Sequence, residues 1–525
     1  MFFADRFRTP LSITFAFVAT HNHFVLDRGG KVFNRTAPVI KLPPETGEDA
    51  HLGLLGLLNA SVACFWMKQV FQDKGGWRHW WRHARTMGVA RYEHDSTKLL
   101  QFPIPTPADP TLIAFARHLD TIAAARVADT VALAIDTAAA QDHTALTAAL
   151  AARRDRDLSR FRQMVALQEE LDWYAYGLYG IAADLPRIPP ADVAELVPGN
   201  RSFEIILARH NLDIRETLAR GEDPGEQPTA WFARHGWEPV TEVANIPDLR
   251  YRAIVERRLD LIAQNPSLAL LEQPTYKRRW FKPDHAAQEA AALDGWLADR
   301  LEDWAREQPA PWPMQRAAAA LETDAAVQAV AQELAGRRDY ELEAILRRLV
   351  VEAAVPNCKT DRYSAAGLEK RAAWEHTWAL QHAQDRGEDV TVPVPPRYGS
   401  TDFAKPSIWR LRGKLDVPKE RFIAFTEMPG ATGDRALYGW AGWNPRQRAR
   451  ILLALDDQAE AAGAPLPGRY GLLWGVWFLL PWVAWEAEAA AAEFRGIVQD
   501  LVGRAGVTEA MLGEWAAGRK GGRRG

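Results

Sequence analysis

The sequence predicts an α+β protein with a small mixed sheet in an N-terminal segment, a long helical hairpin that acts as a spacer, and a mostly helical C-terminal region. Three observations support this fold class. The first hundred residues contain two runs rich in β-branched and aromatic residues around a glycine turn. Two later stretches repeat apolar residues at helical spacing and are too long for strands. Beyond them, short helical patterns alternate with loops rich in proline and glycine.

The β-rich part begins near residue 12. The run SITFAFVATHNHFVL (12–26) is rich in β-branched and aromatic residues, and DRGG (27–30) is a turn signal. A second β-like run, KVFNRTAPVIKL (31–42), follows and is interrupted by Pro38. The pattern predicts a β-hairpin.

The first of these runs contains His21, Asn22 and His23, and the three letters are also the name of a family of metal-dependent nucleases. In such nucleases the three residues come from separate elements and converge on one metal ion. Adjacent residues on a strand point to opposite faces, so His21 and His23 can share a face that Asn22 cannot join. A hairpin is therefore favoured over a nuclease site.

Two helices are predicted after the helical patch LGLLGLLNASVACFWMKQVF (52–71) and the proline-rich joint FPIPTPADP (102–110). The apolar residues that share a face are Leu112, Phe115, Leu119 and Ile122 in the first helix and Leu158, Phe161, Val165 and Leu171 in the second. Because both are amphipathic, we expect them to pair as a hairpin from about Asp109 to Gly180.

Composition is typical of a globular protein of about three domains. The 525 residues include 64 Lys and Arg against 67 Asp and Glu, a net charge of −3, so any nucleic-acid surface must be a local patch. The two cysteines, Cys64 and Cys358, are far apart, which excludes a disulfide framework and a cysteine-rich zinc site. We expect a reducing, cytoplasmic location.

Membrane association is not expected. Asp5 interrupts the basic region that a signal peptide needs at its start. The most apolar run, YGLLWGVWFLLPWVAW (470–485), is short for a membrane span and contains Pro481. It predicts a buried helix.

Catalytic motifs are not visible in the sequence. Adenine methylation needs a glycine-rich turn for S-adenosylmethionine and an Asn/Asp-Pro-Pro-aromatic loop, and neither is found; the Asn-Pro pairs at Asn265 and Asn444 lack the second proline. Phosphate-loop, nucleophile-elbow and zinc-protease motifs are also missing. His79 and His83 have the spacing of two metal ligands on a helix, but no third ligand is near, so a surface role is favoured. We therefore predict no catalytic, cofactor-binding or metal residue.

A basic patch extends from Lys68 to Lys98. Its basic residues are Lys68, Lys74, Arg78, Arg82, Arg85, Arg91 and Lys98, with Trp77, Trp80, Trp81 and Tyr92 between them. Guanidinium groups can hold phosphates or read guanine edges, and Gly75 and Gly76 allow a loop to enter a groove. The patch predicts a DNA-binding surface; the alternative is a solvated basic face with its tryptophans in the core.

Six long phrases occur in order along the chain: GGKVFNRTAPVIKLP, LLGLLNASVACFWMKQVFQDKG, STKLLQFPIP, MVALQEELDWYAYGLYGI, YRAIVERRLDLIAQNPSLALLEQPTYKRRW and KPSIWRLRGKLDVPKERF. The first four resemble the C-terminal half of the PglX family, the adenine-specific DNA methyltransferases of phage growth limitation and BREX defence systems. The last two resemble the type 2 BREX branch of that family.

The resemblance implies an order of segments, because in this family the catalytic domain precedes a target-recognition region, a helical spacer and a family-specific C-terminal region. The implied segments are a partial target-recognition segment (1–108), a helical hairpin spacer (109–182), a family-specific region (183–400), a tryptophan-rich subdomain (401–517) and a disordered basic tail (518–525). It further implies a site-specific adenine-N6 DNA methyltransferase whose S-adenosylmethionine site and catalytic residues belong to the preceding half. The chain is then expected to be a truncated or split gene product that is not catalytic alone.

The expected partners are double-stranded DNA, a separate methyltransferase half and other BREX proteins. A rival hypothesis is a protein-interaction scaffold, in which the tryptophan-rich C-terminal region docks other defence components. A stand-alone nuclease or methyltransferase is disfavoured, since no set of residues meets the geometric requirements of such a site.

Overall fold

A computed structural model describes residues 10–74, 90–105, 109–246, 248–411, 420–504, 506, 508 and 510–515. The strands are β1 Ser12–Phe15, β2 Val18–Ala19, β3 Phe24–Asp27, β4 Val39–Ile40, β5 Gln72–Asp73, β6 Tyr92–Glu93, β7 Trp312–Pro313, β8 Ala354–Pro356, β9 Phe422–Ala424 and β10 Leu437–Trp440.

The helices are α1 Glu48–Asn59, α2 Ser61–Val70, α3 Ser96–Leu99, α4 Pro110–Ala128, α5 Val131–Ala138, α6 His143–Leu178, α7 Ser202–Ala219, α8 Trp231–His235, α9 Leu249–Gln264, α10 Pro266–Leu271, α11 His285–Arg306, α12 Met314–Leu321, α13 Ala325–Ala335, α14 Leu342–Ala353, α15 Lys359–Arg362, α16 Ala365–Asp385, α17 Pro406–Arg410, α18 Pro445–Ala461, α19 Leu466–Glu486 and α20 Glu488–Arg504. The predicted fold class, α+β with a mostly helical C-terminal region, is confirmed.

The chain forms two compact units. The first consists of Met1–Thr130 and Ala151–His285, and the second of Val131–Leu150 and Ala286–Gly525. This grouping follows contacts between residues, whereas the five segments expected from the sequence were divided by role. Those segment boundaries therefore stay predictions.

The first unit contains two small antiparallel sheets, with strand orders β3-β1-β4 and β2-β6-β5. An antiparallel hairpin is present, but it is not the predicted pairing of the first run with the second across DRGG: β1 and β3, both from the first run, pair from Ser12 with Asp27 to Phe15 with Phe24. The DRGG turn follows this hairpin instead of connecting it. The reason is burial, because Ile13 and Phe15 from β1 and Phe24 from β3 face the same core.

The predicted helical hairpin is also present in the first unit, where α4 and α6 run antiparallel. The Asp109 carboxylate accepts a hydrogen bond from the Tyr174 hydroxyl at 2.8 Å, and at the other end Arg126 pairs with Asp157 at 2.9 Å. Asp109 also caps α4 by accepting the amide of Leu112. Of the predicted apolar faces, Leu112, Phe115, Phe161, Val165 and Leu171 are buried, while Leu119, Ile122 and Leu158 are partly buried.

The second unit is built on a four-stranded sheet of order β7-β10-β9-β8, in which β8 and β9 are parallel. The apolar run 470–485 lies in α19, which packs with α18 and α20 around a core that includes Leu472, Val476 and Leu480. This confirms the predicted buried helix.

Within the described ranges, no single helix is long and apolar enough to cross a membrane. The pair α1 and α2 reaches that length and apolarity only when both helices are taken together across a bend of 66°.

Candidate nucleic-acid interface

A basic and aromatic stretch for which the sequence predicted no separate role lies in the first unit. We call residues 275–282, TYKRRWFK, the basic segment. The segment begins at the short 3-10 turn Pro274–Tyr276 and then continues without regular structure. Lys277 points into the protein, Arg278 is partly exposed, and Phe281 and Lys282 are exposed. The segment thus has an anchored side and a side that faces solvent.

Lys277 anchors the segment in a buried cluster of carboxylates. Its Nζ lies 2.7 Å from Glu272 Oε1, 3.1 Å from Glu169 Oε2 and 3.5 Å from Asp172 Oδ2. Burial opposes its charge, but Glu169 and Glu272 dominate and raise the pKa of Lys277 above its usual range. Lys277 is therefore a structural cation whose charge is fully engaged inside the protein.

Helix α6 supplies most of the carboxylates through the sequence QEELD. Four of these five residues are polar and buried: Gln168, Glu169, Glu170 and Asp172. Glu170 pairs with the fully buried Arg258 at 2.8 Å, and the Arg258 guanidinium lies over the Trp173 ring. Because a buried charge is costly unless it is paired, this face of α6 depends on cations from other parts of the chain.

Arg279 fixes the segment at a second point. Its guanidinium donates to Gln168 Oε1 at 2.9 Å, to the Asn22 carbonyl at 2.8 Å and to Asn59 Oδ1 at 3.3 Å. All three acceptors are neutral, and burial lowers the pKa of Arg279. This residue places positive charge beside the His21–His23 run without a direct hydrogen bond to a carboxylate among the described contacts.

Trp280 shows that the backbone is held in an unusual conformation. Its φ is +74°, a region that costs a bulky residue energy and persists only where the surroundings enforce it. Here its carbonyl accepts a hydrogen bond from Trp237 Nε1 at 2.7 Å, and the amide of Lys282 donates to the His235 carbonyl at 2.9 Å. The exposed Phe281 stacks on His235 with ring centroids 4.3 Å apart. The exposed side of the segment is therefore preorganised.

A cavity of about 440 Å³ lies beside the segment within the first unit. One wall consists of His21, His23, Arg278, Arg279, Trp280 and Phe281. Helices α1, α4 and α6 supply a mostly apolar wall that also includes Asn59, Asp120, Arg126 and Gln168. Burial and the charge of Arg279 lower the pKa of His21 to about 3 and that of the more exposed His23 to about 4. Both imidazoles are therefore neutral near pH 7 and act as neutral hydrogen-bonding groups.

Asn22, between these histidines, is buried and has a structural role. Its Nδ2 donates to the carbonyls of Leu58 at 2.7 Å and Ala60 at 3.1 Å, where α1 meets α2. The expectation that Asn22 cannot share a face with the two histidines is thus confirmed. The part of the chain that the structure describes contains no group of three or more His, Cys, Asp or Glu residues that could hold a metal ion.

The structure describes four of the seven predicted DNA-binding residues. Lys68 points inward: its Nζ donates to the Thr275 carbonyl at 2.5 Å and lies over the rings of Tyr92 and Tyr276. Lys74 is exposed and pairs with Glu93 at 2.6 Å. Arg91 is exposed, and Lys98 is partly exposed on α3. Arg78, Arg82 and Arg85 lie outside the described residues, as do His79 and His83.

The two ends of the patch meet next to the basic segment. Strands β5 and β6 flank residues 75–89, and Asp73 pairs with Tyr92 across them. The Lys68 hydrogen bond to Thr275 joins this region to the segment, which lies more than 200 residues later in the chain. The described patch and the basic segment therefore form one surface region, which we call the basic face.

Like charges are concentrated on this face. Burial and the charge of Arg234 lower the pKa of Arg278, and burial together with Arg278 lowers the pKa of Lys68. Arg234 itself is exposed. Cations that destabilise one another in this way gain energy when an anion approaches, and arginine suits phosphate because of its planar fork of donors.

The sequence alone suggested no separate role for Arg278 and Arg279. Their segment is part of one of the stretches that resemble the PglX family. A usable signal exists in hindsight. The acidic run QEELD lies between the apolar stretch MVAL and the aromatic stretch WYAYGLY, and such a run needs a cationic partner such as TYKRRW if it is buried.

Comparison with known proteins gives two matches. A family model described as a domain of unknown function, DUF7008, matches residues 164–525. The adenine-specific methyltransferase PglX of Streptomyces coelicolor is 39% identical over 533 aligned residues, which cover 96% of this chain and 42% of that protein. The matched part is the C-terminal part of the relative, as the sequence phrases indicated.

The chain thus spans less than half the length of this curated relative. No solved structure matches it. The family model begins within α6, just before the buried QEELD run, and includes the whole basic segment. Since the model covers well over half of the residues, the chain belongs to the DUF7008 family.

Proposed function

We propose that this chain is the DNA-recognition and C-terminal portion of a PglX-like, site-specific adenine-N6 DNA methyltransferase in a BREX phage-defence system. The similarity to the C-terminal part of an adenine-specific methyltransferase supports the enzyme class. In this proposal S-adenosylmethionine binding and methyl transfer belong to the part of the relative that this chain does not cover. The first unit then supplies contacts to double-stranded DNA.

The observation that carries the DNA-binding part of the proposal is the basic face. It combines Arg234, Arg278 and Lys282 with the described residues of the predicted patch, Arg91 and Lys74. A buried salt-bridge cluster holds the segment from behind, so the exposed cations lose little further freedom when they bind. The predicted arginines Arg78, Arg82 and Arg85 lie outside the described residues, between β5 and β6 in the sequence.

Phosphate contacts are expected to dominate on this face, because they supply most of the affinity and all of its steep salt dependence. Arg78, Arg82, Arg85 and Arg91 are expected to act chiefly through phosphates, and one of them that reads a guanine edge in the major groove would add preference at a single base position. Lys68 is assigned a supporting role, since its ammonium already holds the Thr275 carbonyl.

The proposal is tested by measuring binding of the full chain to a mixed-sequence duplex at several salt concentrations. Three variants remove charge from the basic face: Arg278→Gln, Lys282→Gln, and the triple change of Arg78, Arg82 and Arg85 to glutamine. Each lost phosphate contact should lower the slope of log affinity against log salt by about one unit. Arg215→Gln, an exposed arginine on α7, is the matched control and should leave the slope unchanged.

Unchanged affinity and slope in all three folded variants would refute DNA binding by this face. A pull-down with other proteins of the defence locus from nuclease-treated lysate addresses the rival scaffold hypothesis. Partners retained by the triple variant as well as by the parent chain, together with absent DNA binding, would favour the scaffold.

A further inference from the structure

A second cation-rich cavity lies in the second unit and is independent of the proposed DNA-binding role. It has a volume of about 220 Å³ and is formed at the end of strand β8, by the first residues after that strand together with α16, α18 and α19. Four cations line it: Lys359, Arg362, Arg371 and Arg448. None of the described lining residues is acidic.

The carboxylates that contact these cations are not among the described lining residues, and they balance only part of the positive charge. Glu375 accepts from Lys359 Nζ at 3.1 Å and from Arg371 Nε at 3.0 Å. Glu420 pairs with Arg362 at 3.3 Å. Among the described ion pairs, these two carboxylates contact three of the four cations.

Arg448 is the cation with the weakest compensation. Its guanidinium donates through Nε, at 3.0 Å, and through Nη2 to the side-chain oxygen of Asn357, a neutral acceptor. Asn357 in turn donates to Glu427, and burial raises the pKa of that carboxyl to about 7. Burial and the neighbouring Arg362 lower the pKa of Arg448 to about 10. An anion in the cavity would favour the charged form of Arg448.

Three buried donors on the lining residues have no hydrogen-bond acceptor within the described part of the chain: Arg362 Nε, Trp474 Nε1 and Trp482 Nε1. Unsatisfied buried donors are rare and costly, and they call for an explanation such as a bound group. The unsatisfied groups on the lining residues are all donors, so a group that satisfied them would be a hydrogen-bond acceptor.

The aromatic rings of the cavity hold the cations in position. Lys359 Nζ lies 3.0 Å from the centroid of the Phe478 ring, and the Arg371 guanidinium lies 4.2 Å from that of Trp482. These faces are thereby occupied and do not offer a free platform for stacking a base. The ligand meets guanidinium, ammonium and indole N–H groups instead.

Size restricts the ligand further. A volume of 220 Å³ corresponds to roughly seven water molecules at about 30 Å³ each, and it is below the range of about 300 to 1,000 Å³ for drug-sized ligands.

We propose that this cavity is a binding site for a phosphoryl group, as free phosphate or as the terminal phosphate of a small ester, held by Arg362, Arg371 and Arg448. Forked guanidinium donors match phosphate oxygens in pairs, which a chloride ion cannot exploit.

The site is tested by calorimetric titration of the full chain with inorganic phosphate at low ionic strength, with chloride at matched ionic strength as the reference. Saturable 1:1 binding of phosphate but not chloride is expected. Arg371→Gln should weaken it at least tenfold. Arg300→Gln is the matched control, since Arg300 also lies over a tryptophan ring, Trp296, but is exposed and outside the cavity.

Trp482→Phe keeps an aromatic ring next to Arg371 and removes the unsatisfied N–H, so it gives a second reading in a conservative variant. It should weaken phosphate binding severalfold. Thermal unfolding supplies a check on folding, because a ligand that binds the native state raises the melting temperature. Phosphate should raise it in the parent chain and in Arg300→Gln, and much less in Arg371→Gln.

Two further arms distinguish the sources of the phosphoryl group. Adenosine monophosphate tests a small ester, and a short single-stranded DNA with or without a 5′-phosphate tests a nucleic-acid end. Binding of any of these that depends on the phosphate and is lost in Arg371→Gln supports the site. Equal binding of phosphate by Arg371→Gln, Trp482→Phe and the parent chain, or no binding of any phosphate compound, would overturn the proposal.

Discussion

Two clusters, one in each unit, use the same residue types, arginine and lysine against aromatic rings, in opposite ways. In the first unit Lys277 faces three carboxylates and Arg258 pairs with Glu170, so each of these two buried cations has a carboxylate partner. In the second unit Arg448 has an amide oxygen as its hydrogen-bond acceptor, and the cavity that it lines contains no described acidic residue. The number of buried cations therefore says little about function; what distinguishes a structural site from a binding site is the charge that remains uncompensated.

Substitution of Lys277 by methionine should produce the largest effect on stability. It keeps the length of the side chain but leaves Glu169, Asp172 and Glu272 buried without their cation. Breaking a buried ion pair from one side costs about 3 to 5 kcal/mol. We expect a loss of this size in the free energy of unfolding of the first unit, measured by urea unfolding and by hydrogen exchange of α6.

Lys282→Met is the control for this change, because Lys282 belongs to the same segment but is exposed. Exposed substitutions of this kind usually change stability by less than about 0.5 kcal/mol. If Lys277→Met were as mild as Lys282→Met, the buried cluster would not be what holds the basic segment, and the contrast between the units would fail.

One buried group in each unit should contribute to stability with opposite pH dependence. His94 is buried in the first unit, and burial lowers its pKa from 6.5 to about 4. Between these values the unfolded chain binds more protons than the folded one, so the stability of the first unit rises with pH across this window and is lost as pH falls. The full effect of this one group is about 3 kcal/mol at about 1.4 kcal/mol per unit.

Glu427 in the second unit has a pKa raised by burial from 4.5 to about 7, so its contribution to stability falls as pH rises from about 4.5 to 7. Hydrogen exchange, corrected for the intrinsic pH dependence of exchange, resolves the units separately. Relative to the parent chain, His94→Gln should make the stability of the first unit rise less between pH 4 and 6.5, and Glu427→Gln should make that of the second unit fall less between pH 4.5 and 7. Differences of the same sign in the two variants would contradict the assignment of these two groups.

The parts of the fold that followed from the sequence are those with a local period. The α4–α6 hairpin and the buried helix α19 were predicted because apolar residues recur at helical spacing within one stretch. The β1–β3 hairpin was predicted in kind but not in its connection, because burial of Ile13 and Phe24 decided which segments pair.

The buried charges could not be placed in this way. Glu169 and Lys277 are 108 residues apart, and Glu170 and Arg258 are 88 apart, so no local spacing connects the partners. A charged residue is normally assigned to the solvent side of a helix, and this rule fails where a distant cation compensates it. Lys68 shows the converse, since a lysine predicted to contact DNA points inward to the Thr275 carbonyl.

The smallest expected effect on stability comes from replacing a cation of the second unit by methionine, as in Lys277→Met of the first unit. Because the replacement is of the same kind, it tests the contrast between the two clusters most directly. Arg448→Met removes a buried cation that Arg362 repels and that has no carboxylate in direct contact among the described residues. Relief of that repulsion favours the folded state, whereas the Asn357 oxygen loses a hydrogen-bond donor, which costs about 1 to 3 kcal/mol. The two effects oppose each other, so the free energy of unfolding should change by about 1 kcal/mol or less, while phosphate binding should be lost. A destabilisation as large as that of Lys277→Met would show that Arg448 is as well compensated as Lys277, and that its charge is structural after all.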